Sequence, residues 1–490
     1  MKLYPNLRGE LGSHVRLFNL PMLLRNELVT LLTFPNPAYH NASRYSPWDV
    51  TRIPQEISYF ADYGDYVQIP RGFNPSTLSS AAQLIWGSIG WTDRRATFSV
   101  KFPPSRVTPN ADQEQITRRF LRSLRDSERP FGTYLLVAPT SAGKTIAQGL
   151  LASITGERTL VLCKSNLIKK AWIDDMYLLY GMNEQDLGSI QQKEFRLGTH
   201  VTLASIATIS RRKHLWTELF AQIGCLIIDE VQIIGADTIR EIVEHCPAKF
   251  ILGMTATPSR RDGKGFVLNS FIGRPLLRIM NKQRETESSF PLADAKTIQT
   301  NFRFDDSEGV PLDRDDLDMN LLIDAMTCDE ERNKLLVREV QEDYAKGHSI
   351  LVSTPRIKHV HHLAEMLTKA GLPANVLTGT TNGNKFYTEK LFKMVMQRKC
   401  RILVASTQAI KLGANLNPLD RLHVFIPPLN PVDLEQLIGR IRRKYPGKKD
   451  AQLRWYHDIQ CPYLHRKFKS VFFPVMRKLR VARFENLFVA

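Results

Sequence analysis

No C-x-x-C pair and no cluster of cysteine with histidine occurs anywhere in the 490 residues. The six cysteines, Cys163, Cys225, Cys246, Cys328, Cys400 and Cys461, are scattered, which argues against structural zinc or a disulfide framework and fits a reducing compartment. No segment approaches the ~20 apolar residues of a membrane span. The N-terminus also lacks the uninterrupted apolar stretch of a signal peptide, so a cytoplasmic or nucleoplasmic protein without a membrane partner is expected. Repeats and low-complexity tracts are missing as well. Acidic residues are in deficit, 49 Asp and Glu against 67 Lys and Arg, and the resulting charge of +18 favours an acidic polymer or anionic surface as partner.

The remaining composition is that of a folded protein, with 43% hydrophobic and 24% charged residues. Its length implies two or three domains. Strand-length apolar runs ("YLLVA", "TLVLC", "VTLASI", "CLIIDE", "KFILGMT") alternate with helix-length stretches such as Thr145 to Ile154 and Asn166 to Tyr180, the rhythm of a parallel α/β sheet. It breaks over a polar, Gly- and Pro-punctuated connection beginning "NKQRETESSF", part of which is expected to pair as an edge strand, and resumes with "SILVST", "ANVLTG", "CRILVAS" and "LHVFIP". The expected division is an N-terminal α+β accessory domain at 1–104, with strands in "DYVQIP" and "ATFSVKF", followed by α/β domains at 105–285 and 286–490.

Within "VAPTSAGKTI" a strand gives way to a helix at Lys144, the setting in which backbone N–H groups and a positive helix end receive a phosphate. Ser141, Ala142 and Gly143 make the close approach, Lys144 neutralises phosphate charge, and Thr145 offers a hydroxyl to Mg²⁺. The apolar strand of "CLIIDEVQ" ends in Asp229, placed to hold that metal, and Glu230, placed to polarise an attacking water as general base. Another strand runs into "GMTATPSRRDG", whose Thr255 and Thr257 suit coupling of the phosphate site to a neighbouring surface. In "EQLIGRIRR", Gln436, Arg440 and Arg443 recur at helical spacing and are expected on one helix face, where arginines can stabilise phosphoryl transfer.

Together Ala138 to Thr145, Asp229 to Gln232, Thr255 to Pro258, Ser406 to Asn417 and Gln436 to Arg443 resemble motifs I, II, III, V and VI of superfamily 2 helicases, in order and spacing. The resemblance covers about residues 105 to 450. It implies two RecA-like domains in tandem with ATP and Mg²⁺ between them, Gly413 and Asn415 touching the nucleotide, and an adenine-reading glutamine at Gln113, with Gln115 beside it. "TATPSRRDG" and "QLIGRIRR" look most like the UvsW-type and RecG-type branch, which implies a monomeric motor on duplex or branched DNA in recombination, repair or replication, in a bacterial or phage-infected cytoplasm. Asn415 stands where RecG-like proteins carry Asp. DNA contact is expected at Lys164, Ser165, Ser205, Arg211, Thr354 and Thr407, since hydroxyls and cations suit phosphates. An RNA helicase, a restriction-type motor and an ATP-gated clamp remain open.

Two further stretches bear on nucleic acid. The tail "CPYLHRKFKSVFFPVMRKLRVARF" is expected to bury its apolar residues and present its Lys and Arg. "IWGSIGWTDRRATFSVKF" sets Trp86 and Trp91 beside Arg94, Arg95 and Lys101, a set suited to stacking and phosphate pairing if the tryptophans are not core. The domain at 1–104 is expected to bind branched DNA, so a chain beginning near Arg106 is expected to keep some DNA-stimulated ATP turnover but to lose most unwinding or migration of forks and four-way junctions.

Overall fold

The computed structural model describes all residues except 1–3, 5, 41–51, 126–128, 139–142, 164–165, 192–193, 234–235, 257–262, 280–293, 306–317, 379–384, 412–415, 429, 444, 480, 482–483 and 486–490. The chain forms two compact units, Met1–Met280 and Asn281–Ala490.

The first unit begins with β1 (Arg8–Leu11), β2 (Val15–Phe18), β3 (Thr33–Pro35), β4 (Glu56–Ser58), β5 (Ala61–Asp62), β6 (Tyr66–Ile69) and β7 (Gly90–Asp93). Five of these make a sheet in the order β5-β6-β2-β1-β7. Alternation decides its inner face: Leu11, Val15, Leu17, Val67 and Ile69 join Leu24, Leu28 and Leu32 of the helix Met22–Leu32 and Ala82, Ile85 and Trp86 of the helix Ser80–Gly87 in one core. The expected strand in "DYVQIP" is β6. "ATFSVKF" is not a strand; it runs as an extended strap joined by isolated bridges, Ala96 to Ala248 and Ser99 to Glu157.

The second sheet of this unit contains β8 (Thr133–Val137), β9 (Thr159–Cys163), β10 (Leu187–Gln191), β11 (Glu194–Arg196), β12 (Val201–Ser205), β13 (Cys225–Ile228), β14 (Phe250–Thr255) and β15 (Pro275–Arg278). Their order is β11-β10-β12-β9-β13-β14-β8-β15, parallel except at the β10–β11 pair. Tyr134, Leu136 and Val161 pack on one side and Leu135, Leu160 and Leu162 on the other, which is why these strands read as unbroken apolar runs.

The accessory sheet is welded to this motor sheet. Arg71 is wholly buried and donates to the carbonyls of Phe131, Ala248 (2.7 Å) and Lys249 (2.9 Å), just ahead of β8 and β14. Burial, aided by the charge of Arg95, pushes its guanidinium down to about 9, still charged at neutral pH. Gly72 passes so close to the backbone at Ser270 that a Cβ would lie 2.4 Å from that carbonyl oxygen. Phe34 stacks on Phe266 at 4.5 Å, and Tyr59 meets Phe271 edge-on at 4.9 Å. The N-terminal region thus has its own sheet and core but shares one compact unit with the motor sheet.

The second unit holds β16 (Asp294–Thr300), β17 (Ile350–Thr354), β18 (Ala374–Leu377), β19 (Ile402–Ser406), β20 (Arg421–Val424), β21 (Gln452–Asp458) and β22 (Phe484–Glu485), all parallel, in the order β18-β19-β17-β20-β21-β16-β22. The strand drawn from the polar connection, β16, is therefore flanked on both sides rather than at the edge. The tail folds back as helix: Phe468, Val471, Phe472, Val475 and Met476 fill the core against Trp455, as expected of its apolar residues.

Candidate active site

In the motor sheet β14 lies between β13 and β8, so the chain ends of three strands meet at one edge. Val137 is in register with Thr255, and the Ala138 N–H donates to the Thr255 carbonyl at 2.9 Å. Thr255 itself is buried at the end of β14, and Thr257 lies outside the described residues. Ser141 and Ala142 also lie outside them, but both flanks of that loop are defined. Gly143 caps the helix Lys144–Thr155 at φ 68°, ψ 46°, in left-handed backbone that favours glycine, and a Cβ there would come within 2.4 Å of the Gln113 amide.

Lys144 is only 7% exposed, and its Nζ donates to Oε1 of Glu230. The other carboxylate oxygen of Glu230 accepts from Nε2 of Gln232 at 2.6 Å. Glu230 holds φ at 49°, a left-handed conformation that costs a side-chain-bearing residue about 1 kcal/mol or more. Burial and the neighbouring Glu230 charge push the Asp229 carboxyl up to about 6 against the pull of Lys144. One amine, two carboxylates, the half-exposed Thr145 and a helix N-terminus therefore converge. An amine beside a helix N-terminus is the chemistry that attracts anionic oxygens, and paired carboxylates with a hydroxyl the chemistry that attracts a hard cation.

Gln113 stands next to this loop through reciprocal capping. Its Oε1 accepts from the Asn110 N–H (2.9 Å), its own N–H donates to Asn110 Oδ1 (3.0 Å), and its Nε2 reaches the Gly143 carbonyl (3.3 Å). Sequence reasoning missed Asn110 and the grip of Gln232 on Glu230. The Asn110-x-x-Gln113 spacing ahead of a helix was the available signal for the first.

In the second unit Gln436 and Arg440 lie one turn apart on the helix Pro431–Ile441, whose N-terminus is capped by the Asn430 side chain on the Asp433 N–H (3.0 Å). Arg443 lies beyond the end of that helix, so the shared-face expectation fails for it. Its carbonyl is fastened instead by Lys448, whose Nζ donates to the carbonyls of Asn417 (2.7 Å), Ile441 (2.7 Å) and Arg443 (2.9 Å); burial lowers that amine to about 8. Gly413 and Asn415 lie outside the described residues.

Among the expected nucleic-acid contacts, Thr354 is corrected. It is fully buried, and its hydroxyl donates to Nδ1 of His359 (2.7 Å) because Nε2 of that ring already donates to Asn333 Oδ1 (2.9 Å). Thr407 is half-buried and bonded to the Ser353 hydroxyl at 3.0 Å. Ser205 ends β12 in register with Cys163, ahead of the exposed Arg211, while Lys164 and Ser165 lie outside the described residues. Around the two tryptophans, Trp86 is core and Trp91 is 38% exposed; Arg94 pairs with Glu10 (3.1 Å) and Arg95 with Asp93 (2.6 Å).

Residues 106–260 match the family described as type III restriction enzyme, res subunit, and residues 331–445 match the helicase conserved C-terminal domain. Helicase D10 of Escherichia phage T5 is 24% identical over 63% of this chain, a match that takes in 64% of that relative. The DNA 3'-5' helicase XPB of Mycobacterium tuberculosis is 24% identical over 69% of this chain and 59% of its own length, and a mimivirus relative is named as an ATP-dependent RNA helicase. Among solved structures, an HsdR subunit fragment of a type I restriction enzyme from Vibrio vulnificus aligns with a TM-score of 0.55 at 15% identity, covering 78% of this chain and 69% of that one.

Proposed function

We propose that this chain, a member of the superfamily 2 helicases and an ATP-dependent hydrolase of that class, is a DNA translocase that remodels branched DNA. The observation that carries the motor reading is the buried Lys144–Glu230 pair beside Asp229 at the exit of three parallel strands. Lys144 and the N-terminus of its helix hold the β- and γ-phosphates. Thr145 and Asp229 are the oxygens that would hold Mg²⁺, and the ion would supply positive charge against that developing on the transferring group.

Glu230 takes the proton of the attacking water. Released from Lys144 by a phosphate that competes for the same amine, its carboxylate becomes available as a base. Arg440 and Arg443 supply positive charge to the transferring phosphoryl group, and hydrolysis alternates two states of the motor that differ in affinity for nucleic acid. The choice of DNA rests on the sequence likeness of "TATPSRRDG" and "QLIGRIRR" to the branch-migrating enzymes, on Gln232 at the motif II position where DEAH and DEAD RNA helicases carry His or Asp, and on the net charge of +18. The test is ATP turnover in the presence of four-way junctions, forks, linear duplex, single strands and RNA. Strongest stimulation by branched DNA is the expected result; strongest stimulation by RNA overturns the choice of polymer, and no stimulation by any of them leaves only an ATP-gated clamp.

A further inference from the structure

The outer face of the N-terminal sheet is built unlike an ordinary solvated face. Antiparallel strands with one side on a core usually turn polar side chains to water on the other, but across the antiparallel β1, β2 and β6 aromatic rings and guanidinium groups alternate. Arg8 pairs with Phe18 across β1 and β2, and Phe18 with Tyr66 across β2 and β6. The Arg8 guanidinium lies 4.3 Å from the centre of the Phe18 ring, and that of Arg16 lies 5.4 Å from Tyr66. Phe18 and Tyr66 are 5.5 Å apart, and Tyr63, 56% exposed, continues the row 4.9 Å from Tyr66.

Neither Arg8 nor Arg16 has a carboxylate partner among the described residues. The acid on this face, Glu10, is engaged by Arg94. The row is therefore net cationic, with rings half-exposed and spaced near the ~4.8 Å separation of strands. The tryptophan patch singled out in the sequence is on the inner side: Trp91 packs against Trp86 and Phe131 at 5.7 and 5.5 Å.

We propose that this outer face, Phe18, Tyr63 and Tyr66 with Arg8 and Arg16, is a stacking platform for an unpaired DNA strand. The proposal rests on the DNA-translocase reading, in which opening or regressing a branch leaves a single strand to be held. Rings on a sheet stack bases of any sequence, and guanidiniums between them meet the phosphates, so the platform binds without reading sequence.

The test uses the full-length protein and a fluorescein-labelled oligothymidylate, followed by anisotropy over a salt series. The double variant Phe18→Leu/Tyr66→Leu is expected to lose affinity about fivefold or more per ring. Arg8→Gln/Arg16→Gln is expected to flatten the log–log salt slope by about 0.7 for each phosphate no longer neutralised. Unchanged affinity and slope in variants whose melting temperature matches the parent overturn the platform. Should a variant fail to fold, photocrosslinking of the unaltered protein to an iododeoxyuridine strand decides: adducts on Phe18, Tyr63 or Tyr66 support it, and adducts confined to other residues overturn it. DNA-stimulated ATP turnover, measured alongside, separates the two readings, since its complete absence defeats the translocase whereas its presence without adducts on these rings defeats only the platform.

Discussion

Lys144 and Glu230 hold each other, so each substitution has two consequences. Lys144→Ala removes the cation proposed to bind phosphate and also strips Asp229 and Glu230 of the charge that offsets their mutual repulsion. ATP turnover should vanish while circular dichroism and gel-filtration behaviour stay those of the parent; a folded Lys144→Ala protein with normal turnover would remove the site from this loop. Glu230→Gln keeps an oxygen for Lys144 and relieves Asp229 of a like charge, so nucleotide should still bind, and turnover should fall by about 10²- to 10⁴-fold. Arg440→Ala should lower kcat far more than ATP affinity, and Arg440→Lys should restore little, because an ammonium does not reproduce a planar fork of donors. A change confined to DNA affinity would instead assign Arg440 to the nucleic-acid track.

At the scale of elements, the second unit carries a buried polar seam between the helix Glu330–Ala345 and strands β20 and β21. Asp343 accepts from Arg454 (2.8 Å) and faces His423 (3.1 Å), and although burial alone would raise its carboxyl, the bonds and charges of His423 and Arg454 hold it well below the usual range. Burial lowers His423, and takes His348 and His457 to about 4 and His359 to about 3. A histidine whose folded pKa is depressed binds its proton more readily once unfolded, so stability falls as pH drops through 6.5; the Asp343 contribution, full above 3.8, is lost below it. In the first unit burial lowers His14 in the same way, to about 4. Hydrogen exchange at pH 7 and pH 5 should therefore show residues 281–490 losing protection faster, and equal loss in both units would contradict the assignment. Asp343→Asn should cost about 3–5 kcal/mol by leaving buried cations unpaired. The strands and the passage from β8 into the helix at Lys144 were legible because burial on both faces and a fixed strand-to-helix spacing write themselves into consecutive residues. Arg71 and the Arg8–Phe18–Tyr66 row were not, because their partners are set by long-range packing and register. Arg443 was misplaced because spacing does not reveal where a helix stops.

For the whole molecule, two compact units imply two calorimetric transitions, not three, with the accessory and motor sheets of residues 1–280 melting together. Arg71→Met should lower that first transition by on the order of 3 kcal/mol, since several buried carbonyls lose their donors. A chain starting near Arg106 would strip the same carbonyls and uncover Phe266 and Phe271, so poor solubility is the expected outcome; a well-folded, fully active fragment would show that the weld is dispensable. The same guanidinium also sets a timetable during synthesis. Its acceptors at Ala248 and Lys249 follow it by 177 and 178 residues, which at cellular translation rates is about 10–35 s. Until then this cation, meant for the interior, has only the Phe131 carbonyl, 60 residues on, to receive it, so the nascent accessory sheet waits for the motor sheet before its guanidinium is fully housed.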